Sequence, residues 1–249
     1  MTRRPQQSGF TAGRSTIDAI LALRLLSEIH REFDRPLQVA YLDIKAAFDS
    51  VDRQALWKGL RSRGVPDILL NLIEALYHST GARIRYGKNV SSWFSTTSGV
   101  RQGCIIAPAL FCVAIDWIID HMANKPGIFV GNSQFTDLVH ADDTALLVQS
   151  PTAADTCLSS VSEAASTLGL RISWPKTKVQ NVGAGSHIPT DITVDGNLVE
   201  CVESFVYLGS VQPSEGQCLP DIKRRIALAS CFVSDGIFGP RFGETSDYH

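Results

Sequence analysis

The sequence predicts an α+β fold, in which strands are separated by helices and two adjacent strands close into a hairpin. Three observations carry that expectation. Stretches with apolar residues at three- and four-residue steps alternate with short apolar runs of strand length. Two of those runs flank a tight acidic turn, Ala141-Asp142-Asp143. No internal repeat or low-complexity linker interrupts the 249 residues, and 44% apolar content is enough for a folded core.

The first element is an amphipathic helix from Arg14 to Phe33, with Ile17, Ile20, Leu21, Leu25, Leu26, Ile29 and Phe33 on one side and Arg24, Glu28, Arg31 and Glu32 on the other. Pro36 ends it. Leu37 to Ile44 (LQVAYLDI) then reads as a largely buried strand that delivers Asp43 at its C-terminal end. Asp52 is placed to cap a helix running to about Arg63, Gly64 stops it, and Pro66 opens a second helix reaching about His78. Residues 82–97 read as a hairpin turning at Gly87, Lys88 and Asn89.

Pro108 to Met122 is apolar nearly all round and predicts a buried helix. FTDLVH and TALLVQS predict the two strands around the acidic turn, and Pro151 starts a helix that reaches Leu168 before Gly169. Strands are expected at Lys178–Val182, Ile192–Val194 and Val199–Leu208, and a last helix from about Leu219 to Phe232. Beyond Phe232 the amphipathic pattern fades.

Composition narrows the function classes. No run approaches the roughly 18 apolar residues that span a bilayer, and the polar start argues against a secretion signal, so an intracellular, soluble protein is expected. The six cysteines are scattered without a CxxC pair or a zinc-like spacing, which points to reduced thiols. The formal charge of −2 disfavours a surface that is basic throughout, while leaving room for a local basic groove beside an acidic metal site.

The chemistry centres on carboxylates. Two adjacent ones at a strand-strand turn repel, unless they are solvated or a cation offsets their charge. A bare Asp-Asp pair is most often a solvated turn. Here the pair lies between apolar strands and a third carboxylate, Asp43, ends another apolar strand. Hard oxygen donors at strand ends are what Mg²⁺ accepts, and two ions about 3.5–4 Å apart would support an in-line phosphoryl displacement.

Five segments together then carry a resemblance. Asp43-Ile44-Lys45-Ala46-Ala47-Phe48-Asp49, Ser98-Gly99-Val100-Arg101-Gln102-Gly103-Cys104, Ala141-Asp142-Asp143, Gly169-Leu170 with Lys176-Thr177, and Tyr207-Leu208-Gly209 resemble, in order and spacing, the palm motifs of reverse transcriptases. Gln7-Ser8-Gly9-Phe10 with Gly13-Arg14-Ser15-Thr16 further resembles the finger segment of non-LTR (LINE-type) retrotransposon enzymes, related to group II intron proteins. The similarity covers roughly residues 6 to 230.

The resemblance implies a right-hand polymerase palm, an antiparallel sheet packed on helices, with partial fingers and a thumb largely absent. It divides the single domain into partial fingers at about 6–36, palm with inserted finger elements at about 37–210, and the start of a thumb or a degenerate tail at about 211–249. It implies metal binding by Asp43, Asp142 and Asp143 with the carbonyl of Ile44, and a leaving-group role for Lys176. Phe48 would floor the sugar pocket, with Gln102 and Gly103 against the incoming nucleotide; Arg101, His140, Tyr207, Leu208 and Gly209 would meet primer or template. The implied cofactor is Mg²⁺, two ions, with Mn²⁺ as a substitute; the implied partners are an RNA template, a DNA primer and dNTPs, with no membrane.

The family carries Tyr or Phe where this chain has His140, which keeps a ring and alters its polarity. The family's first finger strands would fall upstream of Gln6, so a fragment of a longer retroelement polyprotein is expected. Lys45 and Asp49 are explained by an ion pair at a helix start, and Arg83, Arg85 and Lys88 by solvation of a hairpin or a nucleic-acid groove. The expected activity is RNA-directed DNA polymerisation; the alternatives are an inactive relic that at most binds nucleic acid, and an RNA-copying palm polymerase.

Overall fold

The computed structural model describes residues 4–123, 125–184 and 191–234. The final stretch of the predicted tail, 235–249, lies outside them. The first half runs α1 (Thr16–Glu32), β1 (Gln38–Leu42), α2 (Ala47–Ser50), α3 (Arg53–Ser62), α4 (Asp67–Tyr77), β2 (Gly81–Ala82), β3 (Arg85–Tyr86), β4 (Asn89–Val90) and β5 (Phe94–Ser95). The second half runs α5 (Ala107–Asp120), β6 (Ile128–Val130), β7 (Ser133–Phe135), β8 (Asp137–His140), β9 (Asp143–Val148), α6 (Pro151–Thr167), β10 (Lys178–Asn181), β11 (Ile192–Val194), β12 (Asn197–Cys201), β13 (Ser204–Tyr207), β14 (Ser210–Pro213) and α7 (Leu219–Ser234).

The helices start where the side chains allow. Asp52 accepts from the Ala55 N–H at 2.7 Å ahead of α3, and Ser15 with Asp18 forms a capping box ahead of α1, each satisfying donors that the first turn leaves unpaired. Pro151 occupies the first turn of α6, where a missing N–H costs nothing.

Six strands make the main sheet in the order β11-β12-β10-β1-β9-β8. All neighbours are antiparallel except β10 and β12. Because β1 sits inside the sheet, its alternate residues feed two cores. Ala40 and Leu42, with Leu146 and Val148 of β9, join Leu56 and Trp57 of α3, Phe111 and Ile115 of α5, and Leu158 of α6. Val39 and Tyr41, with Ala145 and Leu147, face Leu23 and Leu26 of α1 and Tyr207. A strand covered on both sides reads as a near-continuous apolar run, which is why β1 was legible as buried.

The α+β expectation is borne out, with three differences of detail. The expected strand Val199–Leu208 is two: β12 pairs with β10, the chain turns at 202–203, and β13 leaves the sheet to pair with β14. No Gly, Pro, Asn or Asp marks the turn in the sequence. The hairpin β6–β7 and strand β14 were unforeseen, since their three- and four-residue lengths fall below any readable period. The hairpin of residues 82–97 is broken into the short pairs β2–β5 and β3–β4.

Candidate active site

The acidic turn is the tip of the β8–β9 hairpin. His140 pairs with Asp143, so Ala141 and Asp142 alone make the turn, and Ala141 takes a left-handed φ of 61°. Such a value in a residue with a Cβ marks a backbone held by its surroundings. The β1–β9 register runs from Gln38 opposite Val148 to Leu42 opposite Thr144. Asp43 follows directly on the last paired residue of β1, and Asp143 directly precedes its partner Thr144 at the start of β9. Strand pairing therefore gathers carboxylates that stand a hundred residues apart in sequence.

Their electrostatics agree. Surrounding protein atoms strip hydration from the Asp143 carboxyl, and the negative charges of Asp142 and Asp43 add to this, so Asp143 is held above the ordinary carboxylate range against an opposing pull from His140. Lys176 approaches Asp43 at 3.8 Å, with both side chains open to solvent. Backbone pairing brings it there: Ser173 N–H donates to the Asp43 carbonyl, Lys45 N–H to Arg171, and Asp43 N–H to the Thr177 hydroxyl. Ile44 sits opposite Ile172 between those two backbone bonds, so the Ile44 carbonyl stays out of that ladder.

Hard oxygen donors, mutual repulsion among carboxylates and a carbonyl turned away from its neighbouring strand suit a divalent cation. Among the described residues no group of three or more His, Cys, Asp or Glu stands arranged to hold a metal ion. The carboxylates form an open, solvent-facing set at strand ends, Asp142 and Asp143 both being exposed.

The Ser98–Gly103 loop packs on α2. Gln102 donates its amide to both oxygens of Asp49 at 3.2 and 3.3 Å, and Ser98 donates to the Asp49 carbonyl. Gly99 is required there: at φ 78° a Cβ would lie 2.6 Å from the Asp49 carbonyl oxygen. Asp49 thus has a partner that the expected pair with Lys45 did not include. Phe48 is half-buried and stacks on Phe111 with ring centroids 4.4 Å apart. Arg101 is exposed, its guanidinium over the Tyr77 ring at 5.6 Å.

Tyr207 is buried and donates its hydroxyl to the Leu138 carbonyl at 3.1 Å, while Leu208 and Gly209, both at positive φ, make the β13–β14 turn, Leu208 half-buried against the core that α1 covers and Gly209 exposed. Tyr207 anchors that turn to the strand leading into the acidic hairpin. Arg83 lies over Trp93 at 5.7 Å, one ring contact for the basic hairpin.

Two residues hold parts of the site in ways the sequence did not assign, Gln7 reading only as part of the finger segment and Arg53 only as the start of a helix. Gln7 is buried against the acidic turn, and its carbonyl oxygen accepts the Ala141 N–H at 3.1 Å. Arg53 gathers the carbonyls of Tyr77, Thr96, Ser98 and Gly99 and the hydroxyl of Thr80. Neither stands out by spacing, because both act on distant backbone.

The largely antiparallel sheet packed on helices, with the acidic hairpin at its edge, is a palm-type fold. The architecture is similar to that of telomerase from Candida tropicalis in complex with a fragment of telomeric RNA, at TM-score 0.54 and 13% identity over 84% of this chain and 34% of that one. The apo form of that telomerase, truncated from its C-terminal domain, gives TM-score 0.51 and 14% identity over 83% and 41%. The family model for reverse transcriptase (RNA-dependent DNA polymerase) matches residues 1–211, and the chain belongs to that family.

Among curated relatives, the Pol polyprotein of the type-1 retrotransposable element R2 of Nasonia vitripennis is 28% identical over 72% of this chain. That of the type-2 element R2DM of Drosophila melanogaster is 27% identical over 69%. An R2 Pol polyprotein of Popillia japonica is 26% identical over 88%. These alignments span 18%, 16% and 32% of the respective relatives' lengths. The non-LTR resemblance drawn from the motifs therefore stands. Among the described residues no helix is long and apolar enough to cross a membrane.

Proposed function

We propose that this chain is the polymerising core of an RNA-directed DNA polymerase, adding dNTPs to the 3′-hydroxyl of a DNA primer on an RNA template. The observation that carries the reading is the pairing of β1 with β9, which brings the end of β1, where Asp43 follows, to the hairpin that bears Asp142 and Asp143, near enough for the Asp43 charge to act on Asp143. Membership of the reverse transcriptase family and likeness to R2 polyproteins support it.

Asp43 and Asp142 would hold two Mg²⁺ ions, or Mn²⁺ in their place, with the Ile44 carbonyl and Asp143 as supporting donors. When bound, such ions activate the attacking hydroxyl and stabilise charge on the leaving pyrophosphate. Lys176, already near Asp43, would neutralise or protonate that pyrophosphate. Phe48 would floor the sugar and exclude a 2′-hydroxyl by bulk, since its ring is fixed by Phe111. Gln102 and Gly103 would face the incoming nucleotide. Arg101, His140 and the turn of Tyr207, Leu208 and Gly209 would align template and primer. In this reading residues 6–36 belong to the fingers, 37–210 to the palm with inserted finger elements, and those from 211 onward to the start of a thumb.

Primer extension on poly(rA)/oligo(dT) with Mg²⁺ tests the reading. Incorporation by the wild-type chain and its loss in Asp142→Asn are expected; equal incorporation by both sinks it. Replacing dNTPs with rNTPs separates DNA from RNA synthesis. Phe48→Ala should raise rNTP use by roughly tenfold or more, as loss of a steric gate requires.

A further inference from the structure

We propose that Gln7 is a positioning residue for the acidic turn, holding Ala141 so that Asp142 points at its metal; this rests on the polymerase reading above. Residues 6–8 lie along the outer edge of β8. Gln7 bridges Val139 in parallel, Ser8 N–H donates to the Val139 carbonyl at 2.8 Å, and the Ser8 hydroxyl donates to the same carbonyl at 2.9 Å. The chain then passes beneath the turn.

There Gln7 Oε1 accepts two backbone N–H groups, from Gly9 at 2.8 Å and from Ala141 at 3.1 Å. Both neighbours are donors, so the amide oxygen must face them. The Gln7 Nε2, buried, has no hydrogen-bond partner among the described residues. The residue is thus placed for its oxygen alone.

The fit is close. A Cβ on Gly9 would lie 2.2 Å from the Ala141 nitrogen, so only glycine lets the segment reach the turn. Cys112 of α5 backs the Gly9 carbonyl with a thiol contact at 3.7 Å. Ala141 holds φ 61°, a conformation that needs its surroundings to over-determine it. The Ala141 N–H is the atom through which they do so, one residue before Asp142.

The acceptor is what matters, so two variants separate it from packing. Gln7→Met keeps length and removes the acceptor; Gln7→Glu keeps the acceptor. Mn²⁺ affinity, read by EPR of the free ion, is the primary measurement, with melting temperature alongside. Gln7→Met should bind Mn²⁺ about 10-fold or more weakly and lose about 10–100-fold in kcat, the usual range for groups that orient metal ligands, with KM for template-primer unchanged. Gln7→Glu should bind Mn²⁺ at least as well as about a third of wild type, as retention of the acceptor requires.

Wild-type affinity in a folded Gln7→Met overturns the inference, whatever the extension assay gives. If that variant does not fold, weakened Mn²⁺ binding in a folded Gln7→Glu overturns it instead. A wild-type chain that binds Mn²⁺ yet fails to extend a primer sinks the polymerase reading, while a Mn²⁺ deficit in Gln7→Met still upholds the role of Gln7 at the turn.

Discussion

Asp116 lies within α5, 1% exposed, and neither of its carboxylate oxygens has a hydrogen-bond partner among the described residues. Burial pushes its carboxyl above the ordinary range, although the positive charges of Arg63 and Arg4 pull the other way. Around it two guanidiniums serve three carboxylates: Arg4 takes Asp137 and Asp120, and Arg63 takes Asp120 at 2.8 Å but stands 3.9 Å from Asp116. Asp116 is the carboxylate served least. A carboxyl whose folded pKa is raised holds its proton longer in the folded state, so stability falls as pH climbs from the unfolded value of about 3.9 through the folded one. Asp116→Asn should therefore melt about 2–4 °C above wild type at pH 7, the span of one kcal/mol for a chain this size. The gap should close below about pH 4. Thermal melts at both pH values check this, and a variant less stable at pH 7 refutes it.

At the scale of elements, Arg53 opens α3 and gathers four carbonyls and one hydroxyl from α4, the β2–β5 region and the Ser98–Gly103 loop. A guanidinium offers a planar fork of donors, whereas an ammonium offers three on one atom. Arg53→Lys should leave several of these acceptors unpaired, destabilise by about 2–3 kcal/mol, and raise KM for dNTP several-fold with a smaller change in kcat. An unchanged urea midpoint and KM would remove the organising role. Much of the frame was legible: the cap at Asp52, the helix start at Pro151, the apolar run of β1 and the acidic hairpin all rest on neighbours in sequence. What was not legible depends on contact between distant segments. Gln7 and Ala141 are 134 positions apart, and nothing local tells a reader which backbone amide will need a buried acceptor. The break between β12 and β13 was hidden for a related reason, since no turn residue marks Val202-Glu203 and the Val202 N–H still bonds to the distant Val179.

For the molecule as a whole, the approach of Asp43 to the Asp142-Asp143 pair is a repulsion built into the folded state and absent from the unfolded chain, where only the two sequence neighbours repel. A divalent cation that binds only the folded form should raise stability by linkage. Moving the wild-type chain from EDTA to millimolar Mg²⁺ should lift its melting temperature by about 2–5 °C, and Asp142→Asn should show less than half that rise. Equal rises would place the cation elsewhere. The tie between Gln7 and the turn also has a consequence in time. At a synthesis rate of about 5–20 residues per second, Gln7 leaves the ribosome roughly 7–27 s before Ala141 follows it. The segment that locks the turn is made first and docks late, because its seat on β8 exists only after the hairpin has formed. In refolding with pulsed hydrogen exchange, protection of the Ala141 amide should accordingly arrive in the slowest phase, after that of Ala40 and Leu146 in the sheet.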